Sequence, residues 1–117
     1  MNKRKIGDEY EQLAVEYLER NGYRIIERNY RNRIGEIDII AKEGKTICFV
    51  EVKYRNNSKC GYASEAVNVR KQQKIQMVAN YYFMRNGYSE WTDCRFDVLA
   101  IDGGDITLYR NAFEGKI

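Results

Sequence analysis

Two apolar runs carry ionisable residues at spacings suited to phosphodiester chemistry. Asp38 lies in Ile37-Asp38-Ile39-Ile40-Ala41, and Glu51 and Lys53 lie in Ile47-Cys48-Phe49-Val50-Glu51-Val52-Lys53. An unpaired carboxylate among apolar side chains is costly, so Glu51 needs a partner or an ion. The linker Lys42-Glu43-Gly44-Lys45 reads as a turn, because Gly takes positive φ readily, and the two runs then form a β-hairpin. Side chains alternate faces along a strand, which places Glu36, Asp38 and Ile40 on one face and Ile47, Phe49, Glu51 and Lys53 on one face of the next strand. Glu51 and Lys53 then stand about 6–7 Å apart. A register that sets Asp38 beside Glu51 brings two carboxylates and an ammonium to one spot.

Carboxylates are hard oxygen ligands suited to Mg²⁺ or Mn²⁺. Asp38, Glu51 and the Val52 carbonyl can hold one such ion with waters left in its shell. The ion would stabilise charge on a phosphodiester and lower the pKa of a bound water. Lys53 would orient that water or offset transition-state charge, and its acidic neighbours favour the charged form. The chain has no His, which removes the commonest general base and all Ser-His or Cys-His nucleophile chemistry. A plain ion pair, Glu51–Lys53 or Asp38–Lys53, satisfies the same residues without any reaction.

These side chains must be placed by the elements around them. Ile6, Tyr10, Leu13, Ala14, Tyr17 and Leu18 form one stripe of a helix over residues 3–21, which Asn21-Gly22 ends. Glu11 lies at the border of that stripe, where a solvated acid is the ordinary reading. Residues 23–30 read as a strand, followed by an Asn- and Arg-rich turn and the hairpin. Residues 54–63 read as a polar loop beside the site. Ser64 or Asn68 can cap a second helix, in which Val67, Lys71, Ile75, Val78, Ala79, Tyr82 and Phe83 recur at helical spacing and which Asn86-Gly87 ends. Lys71 interrupts its apolar face, either snorkelling to water or aimed back at the strand carboxylates. Residues 94–101 and 106–110 read as two further strands, joined by Asp102-Gly103-Gly104-Asp105. The order helix, three strands, helix, two strands predicts an α/β sandwich around a mixed sheet, with the second helix crossing over to the fourth strand.

At 117 residues the chain suits one domain, residues 1–117. No apolar run approaches the length of a membrane span, and no apolar signal region follows the basic start Met1-Asn2-Lys3-Arg4-Lys5. Cys48, Cys60 and Cys94 are too scattered for a zinc site, and they fit free thiols in a reducing cytoplasm. The net charge is only +3, but residues 53–76 hold six basic side chains against Glu65 alone. Such a region attracts anionic partners, although a solvated basic face has the same composition.

The whole pattern resembles the PD-(D/E)xK nuclease superfamily. More narrowly, it is similar to the small YraN-like bacterial family, related in fold to Holliday-junction resolvases. The resemblance spans nearly the whole chain. It rests on Gly7-x-x-x-Glu11-x-x-Ala14-x-x-Tyr17-Leu18, Gly22-Tyr23, Arg28-Asn29-x-Arg31, Gly35-Glu36-Ile37-Asp38, Phe49-Val50-Glu51-Val52-Lys53-x-Arg55, Lys71-x-x-Lys74-Ile75-x-x-x-Ala79 and Arg95-Phe96-Asp97-Val98. The usual Pro-Asp pair is Ile37-Asp38 here, and Tyr10 stands where a small residue is expected. The resemblance implies a restriction-endonuclease-like αβββαβ core with a mixed central sheet flanked by helices. It implies Asp38 and Glu51 as metal ligands, Lys53 as the catalytic lysine, Glu11 as a helix-borne acid at the same site, and Lys71 facing it.

The function expected on these grounds is Mg²⁺- or Mn²⁺-dependent endonuclease action on DNA, branched or recombining DNA included. Arg31, Arg33, Arg55, Lys59, Arg70 and Lys74 are the residues expected to hold nucleic acid, DNA ahead of RNA. Tyr30, Tyr54 and Tyr62 are available for stacking on bases, or for ordinary packing. Paired cuts need two centres, which a homodimer would supply; the sequence does not fix the oligomer. A non-catalytic nucleic-acid-binding module and a protein-interaction domain are the other functions compatible with the sequence.

Overall fold

A computed structural model describes residues 3–55 and 67–114. Its elements follow the predicted order: α1 (Lys3–Arg20), β1 (Arg24–Arg31), β2 (Glu36–Glu43), β3 (Thr46–Arg55), α2 (Val69–Arg85), β4 (Cys94–Asp102) and β5 (Asp105–Phe113). The strands form one five-stranded sheet in the order β1-β2-β3-β4-β5. All neighbours are antiparallel except β3 and β4, which run parallel because α2 carries the chain back between them. The polar loop expected over residues 54–63 lies largely outside the described residues, as do Lys59, Cys60, Tyr62, Ser64 and the side chain of Arg55.

One helix covers each face of the sheet. Ile75, Val78, Ala79, Tyr82 and Phe83 of α2 pack with Ile37, Ile40, Ile47, Phe49, Phe96 and Val98. On the other face, Ala14, Val15 and Leu18 of α1 pack with Ile39, Ala41, Cys48, Val50, Leu99 and Ile101. β3 is therefore covered on both sides, which explains its nearly unbroken apolar run. Alternation along β2 slips once: Ile37 and Ile40 enter the same core although strict alternation opposes them. The slip falls at Asp38, so the expectation that Glu36, Asp38 and Ile40 follow one regular face does not carry through the strand.

Local chemistry sets the ends of the elements. Gly22 (φ +89°) closes α1: its N–H bonds Glu19 O at 3.2 Å, and Tyr23 N–H bonds Leu18 O at 3.0 Å. Tyr23 then packs into the same core as Leu18, completing a Schellman cap. The β2–β3 hairpin turns on Gly44 (φ +60°) and Lys45, between the paired Glu43 and Thr46. Asn68 caps α2, its side-chain oxygen accepting Lys71 N–H at 2.9 Å. Val67, counted with the helix by periodicity, precedes the cap and is buried in the core beneath it.

The burial of α1 differs from the predicted stripe. Leu13 is 44% exposed, while Val15 is buried, so the sheet-facing set is Glu11, Ala14, Val15 and Leu18. This i, i+3, i+4, i+7 face turns Glu11 inward from the border position. At the hairpin end of the sheet, Asp97 is fully buried. It accepts bonds from the Tyr23 hydroxyl (2.8 Å), Arg95 Nε (3.0 Å) and Asn111 N–H (2.8 Å). Arg95 and Arg110 both also bond Glu43. Every part of this buried polar group is paired, as a low-dielectric interior requires.

Candidate active site

The two strands of the hairpin part where the carboxylates lie. Pairing between β2 and β3 runs from Glu43↔Thr46 to Ile39↔Val50 and stops there. Beyond that point β2 still pairs with β1, and β3 still pairs with β4. The Asp38 side chain bridges the opening, its Oδ2 accepting Val52 N–H at 2.8 Å. In an extended strand a residue's N–H and C=O point to the same side. The Val52 carbonyl therefore faces the same gap.

Glu51, 7% exposed, stands across that gap on β3. Its Oε1 meets Lys71 Nζ at 2.6 Å and Lys53 Nζ at 3.5 Å. The Asn68 cap fixes Lys71 in the first turn of α2, from which its side chain reaches back to the sheet. Asp38, Glu51, Lys71 and Lys74 line one cleft of about 220 Å³. A larger cleft of about 650 Å³ adjoins it across Asp38 and Glu36, and Glu11, Asn29, Arg31, Val52 and Tyr54 also line it.

Burial and the neighbouring Glu51 charge raise the Asp38 carboxyl to about 7, against a partial offset from the Val52 N–H. Burial and the nearby Lys71 ammonium lower Lys53, with Glu51 opposing them. The carboxylate neighbours alone predicted the opposite pull; burial first, and Lys71 second, reverse it. For Lys71 itself, burial disfavours charge, but its bond to Glu51 prevails and raises its pKa.

The donors fit a hard divalent cation. Two like-charged carboxylates face one another in a partly dry cleft, which a cation relieves, and a main-chain carbonyl faces the same gap. The set is small: among the described residues no group of three or more Asp, Glu, Cys or His side chains is arranged for one metal ion. Glu11 borders the larger cleft with Asp38, but it is held by Arg28 Nε (3.0 Å) and Asn29 Nδ2 (2.9 Å) rather than gathered with Asp38 and Glu51.

The expected nucleic-acid contacts divide. Arg31 borders the larger cleft and bonds Glu36 at 2.7 Å, and Lys74 borders the smaller one. Arg33 and Arg70 are exposed. Tyr54 stacks on Tyr10 with ring centroids 4.3 Å apart, which gives the unexpected Tyr10 a packing role. Tyr30 sits edge-on against Tyr82 at 5.2 Å.

Three residues of the site stand in the sequence motifs but were given no role there. Arg28 and Asn29 hold Glu11, Asn29 in the left-handed region (φ +53°) that few non-glycine residues adopt. Glu36 borders both clefts. Its place two residues before Asp38 was the available signal; nothing local to Asn29 announces its conformation.

A mixed sheet with a helix on each face, and carboxylates where neighbouring strands separate, defines a restriction-endonuclease-like α/β protein. Residues 10–101 match the family described as "Uncharacterised protein family UPF0102". A UPF0102 protein of Fusobacterium nucleatum is 47% identical over 98% of this chain and 96% of its own length. Another, of Lachnoclostridium phytofermentans, is 46% identical over 97% of each chain. A third, of Vibrio vulnificus, is 49% identical over 95% of this chain and 93% of its own. The chain thus belongs to UPF0102, the YraN family that its motifs resemble.

Proposed function

We propose that this protein is a Mg²⁺- or Mn²⁺-dependent endonuclease that hydrolyses phosphodiester bonds in DNA, branched DNA included. The observation that carries the reading is the meeting of Asp38 and Glu51, from two strands that have separated, at one solvent-reached cleft with Lys53 and Lys71 on the same carboxylate. Asp38, Glu51 and the Val52 carbonyl would hold the cation. The cation, when bound, supplies a polarised phosphoryl oxygen and an acidified water. Lys53 sits beside Glu51, partly buried and with lowered proton affinity, where it can orient a water and take part in its proton transfer. Lys71 neutralises Glu51 in the resting site and stays charged to face the phosphate. Glu11, fixed by Arg28 and Asn29, borders the path of the substrate. Arg31, Arg33, Arg70 and Lys74 would meet flanking phosphates.

The test is incubation with linear, single-stranded, flapped and four-way DNA plus Mn²⁺, with Lys53→Ala beside the wild type. Cutting by the wild type and not by the variant is expected. Equal cutting by both would mean contamination and remove the enzymatic claim. One observation favours a second reading, a non-catalytic nucleic-acid-binding module: Lys71 already satisfies Glu51 without any cation. That reading gives binding that weakens with salt, unaffected by Mn²⁺, and no cutting of any substrate.

A further inference from the structure

The irregularity at Asp38 has a counterpart on the neighbouring strand. Across β1 and β2, Arg28 pairs with Ile39 and Tyr30 pairs with Ile37. Residues two apart on a regular strand share a face. Here they do not. Ile39 packs on the α1 side and Ile37 on the α2 side. Arg28 and Tyr30 divide in the same way, Arg28 reaching Glu11 of α1 and Tyr30 packing on the α2 core. Both strands therefore slip by one residue at the same level, β2 at Asp38 and β1 at Asn29. Asn29 makes its slip with a left-handed backbone (φ +53°), which Asn tolerates better than most L-residues.

The same turn brings the Asn29 amide to α1. Consecutive strand residues ordinarily point to opposite faces. Yet Arg28 Nε (3.0 Å) and Asn29 Nδ2 (2.9 Å) both donate to Glu11 Oε1. Glu11 is only 9% exposed. Its other oxygen, Oε2, receives no bond from the described residues. Glu11 lines the larger cleft together with Asp38 and Val52. A carboxylate this deeply buried is costly unless its acceptors are filled, so the free oxygen calls for a donor supplied from the cleft.

We propose that Asn29 is a positioning residue: its left-handed backbone and its amide together set Asp38 and Glu11 toward one cleft, with Glu11 Oε2 free to accept from a water that hydrates the cation. The inference rests on the nuclease reading and gives Asn29 a part in it that Arg28 cannot supply. Only the left-handed residue joins the slip at Asp38 to the acid of α1. Groups that orient metal ligands and their waters change metal affinity or activity by about 10- to 100-fold when they are removed.

The test compares full-length wild type, Asn29→Gly, Asn29→Ala, Glu11→Gln and the double variant Glu11→Gln/Asn29→Gly. Asn29→Gly keeps the left-handed backbone and removes only the amide, whereas alanine resists that backbone. Asn29→Ala should therefore unfold at lower urea than Asn29→Gly. Glu11→Gln keeps one oxygen for Arg28 and Asn29 and replaces the free acceptor with a donor. The Mn²⁺ concentration that gives half of the melting-temperature shift should rise about tenfold in Asn29→Gly and in Glu11→Gln. In both, kcat for DNA cutting should fall while KM for DNA stays near wild type. The double variant should match Glu11→Gln in both readouts, because Asn29 acts through Glu11. Suppose Asn29→Gly keeps wild-type Mn²⁺ dependence and cutting, or its loss adds to that of Glu11→Gln. The inference then falls, and a wild type that cuts DNA keeps the nuclease reading. Equal urea stability of Asn29→Gly and Asn29→Ala would overturn it as well, by removing the left-handed backbone. If wild type cuts no DNA and gains no stability from Mn²⁺, the nuclease reading falls and this inference with it.

Discussion

Asp38 is the residue on which the proposed chemistry depends, and its titration gives a handle on its surroundings. Its carboxyl is raised from 3.8 to about 7, first by burial and then by Glu51. An acid raised on folding contributes stability that is full below its ordinary pKa and lost as pH rises through the raised value. Without divalent cations, urea stability of the wild type should therefore fall between about pH 4 and pH 7 relative to Asp38→Asn. The Asn side chain can still accept the Val52 N–H, so the variant should fold. Addition of Mn²⁺ should stabilise the wild type by about 2.7 kcal/mol at a hundredfold excess over Kd, read as a raised melting temperature, and leave Asp38→Asn unchanged. Parallel pH profiles for the two proteins would show that Asp38 does not face Glu51 as described. The candidacy of Asp38 was readable from an acid inside an apolar run. Its direct bond to Val52 was not, since it joins residues fourteen apart across a gap in the ladder.

At the scale of elements, the site is built from ends and interruptions. The Asn68 cap sets the start of α2 and thereby the reach of Lys71 to Glu51. Asn68→Ala should cost about 1 kcal/mol in urea unfolding. It should also weaken cutting, because Lys71 sits in the loosened turn. Full activity in a destabilised Asn68→Ala protein would separate the cap from the site. At the other end of the sheet, Asp97→Ala leaves Arg95, the Tyr23 hydroxyl and the Asn111 N–H without their buried acceptor. A loss of roughly 3–5 kcal/mol is expected, read by urea unfolding. A loss below about 1 kcal/mol would mean that solvent replaces the carboxylate, as at an exposed pair. The helix and strand order was legible because hydrophobic periodicity is local. The rotation of α1 that buries Val15 and turns Glu11 inward was not, because Leu13 and Val15 are both apolar and only the sheet chooses between them.

For the molecule as a whole, the two clefts meet at one opening in the sheet, with Lys71 and Lys74 bordering the smaller cleft and Arg31 the larger. No helix among the described residues is long and apolar enough to cross a membrane. DNA affinity should fall linearly on a log–log plot as salt rises, with a slope of about −0.9 per phosphate neutralised on duplex DNA. Lys74→Ala should reduce that slope by about one. A salt-independent affinity would remove phosphate contacts from the account and favour a protein partner instead.

The amino-acid sequence by itself determined the order of the elements, the hairpin and the identity of its acids and lysine. Those features follow from the alternation, capping and turn chemistry of residues close along the chain. Only the tertiary structure decided where β2 and β3 separate, which way α1 turns, that Asn29 adopts a left-handed backbone to hold Glu11, and that Lys71 closes on Glu51. Each depends on packing between segments far apart in the chain, where several local solutions are equally good and the shared core selects one.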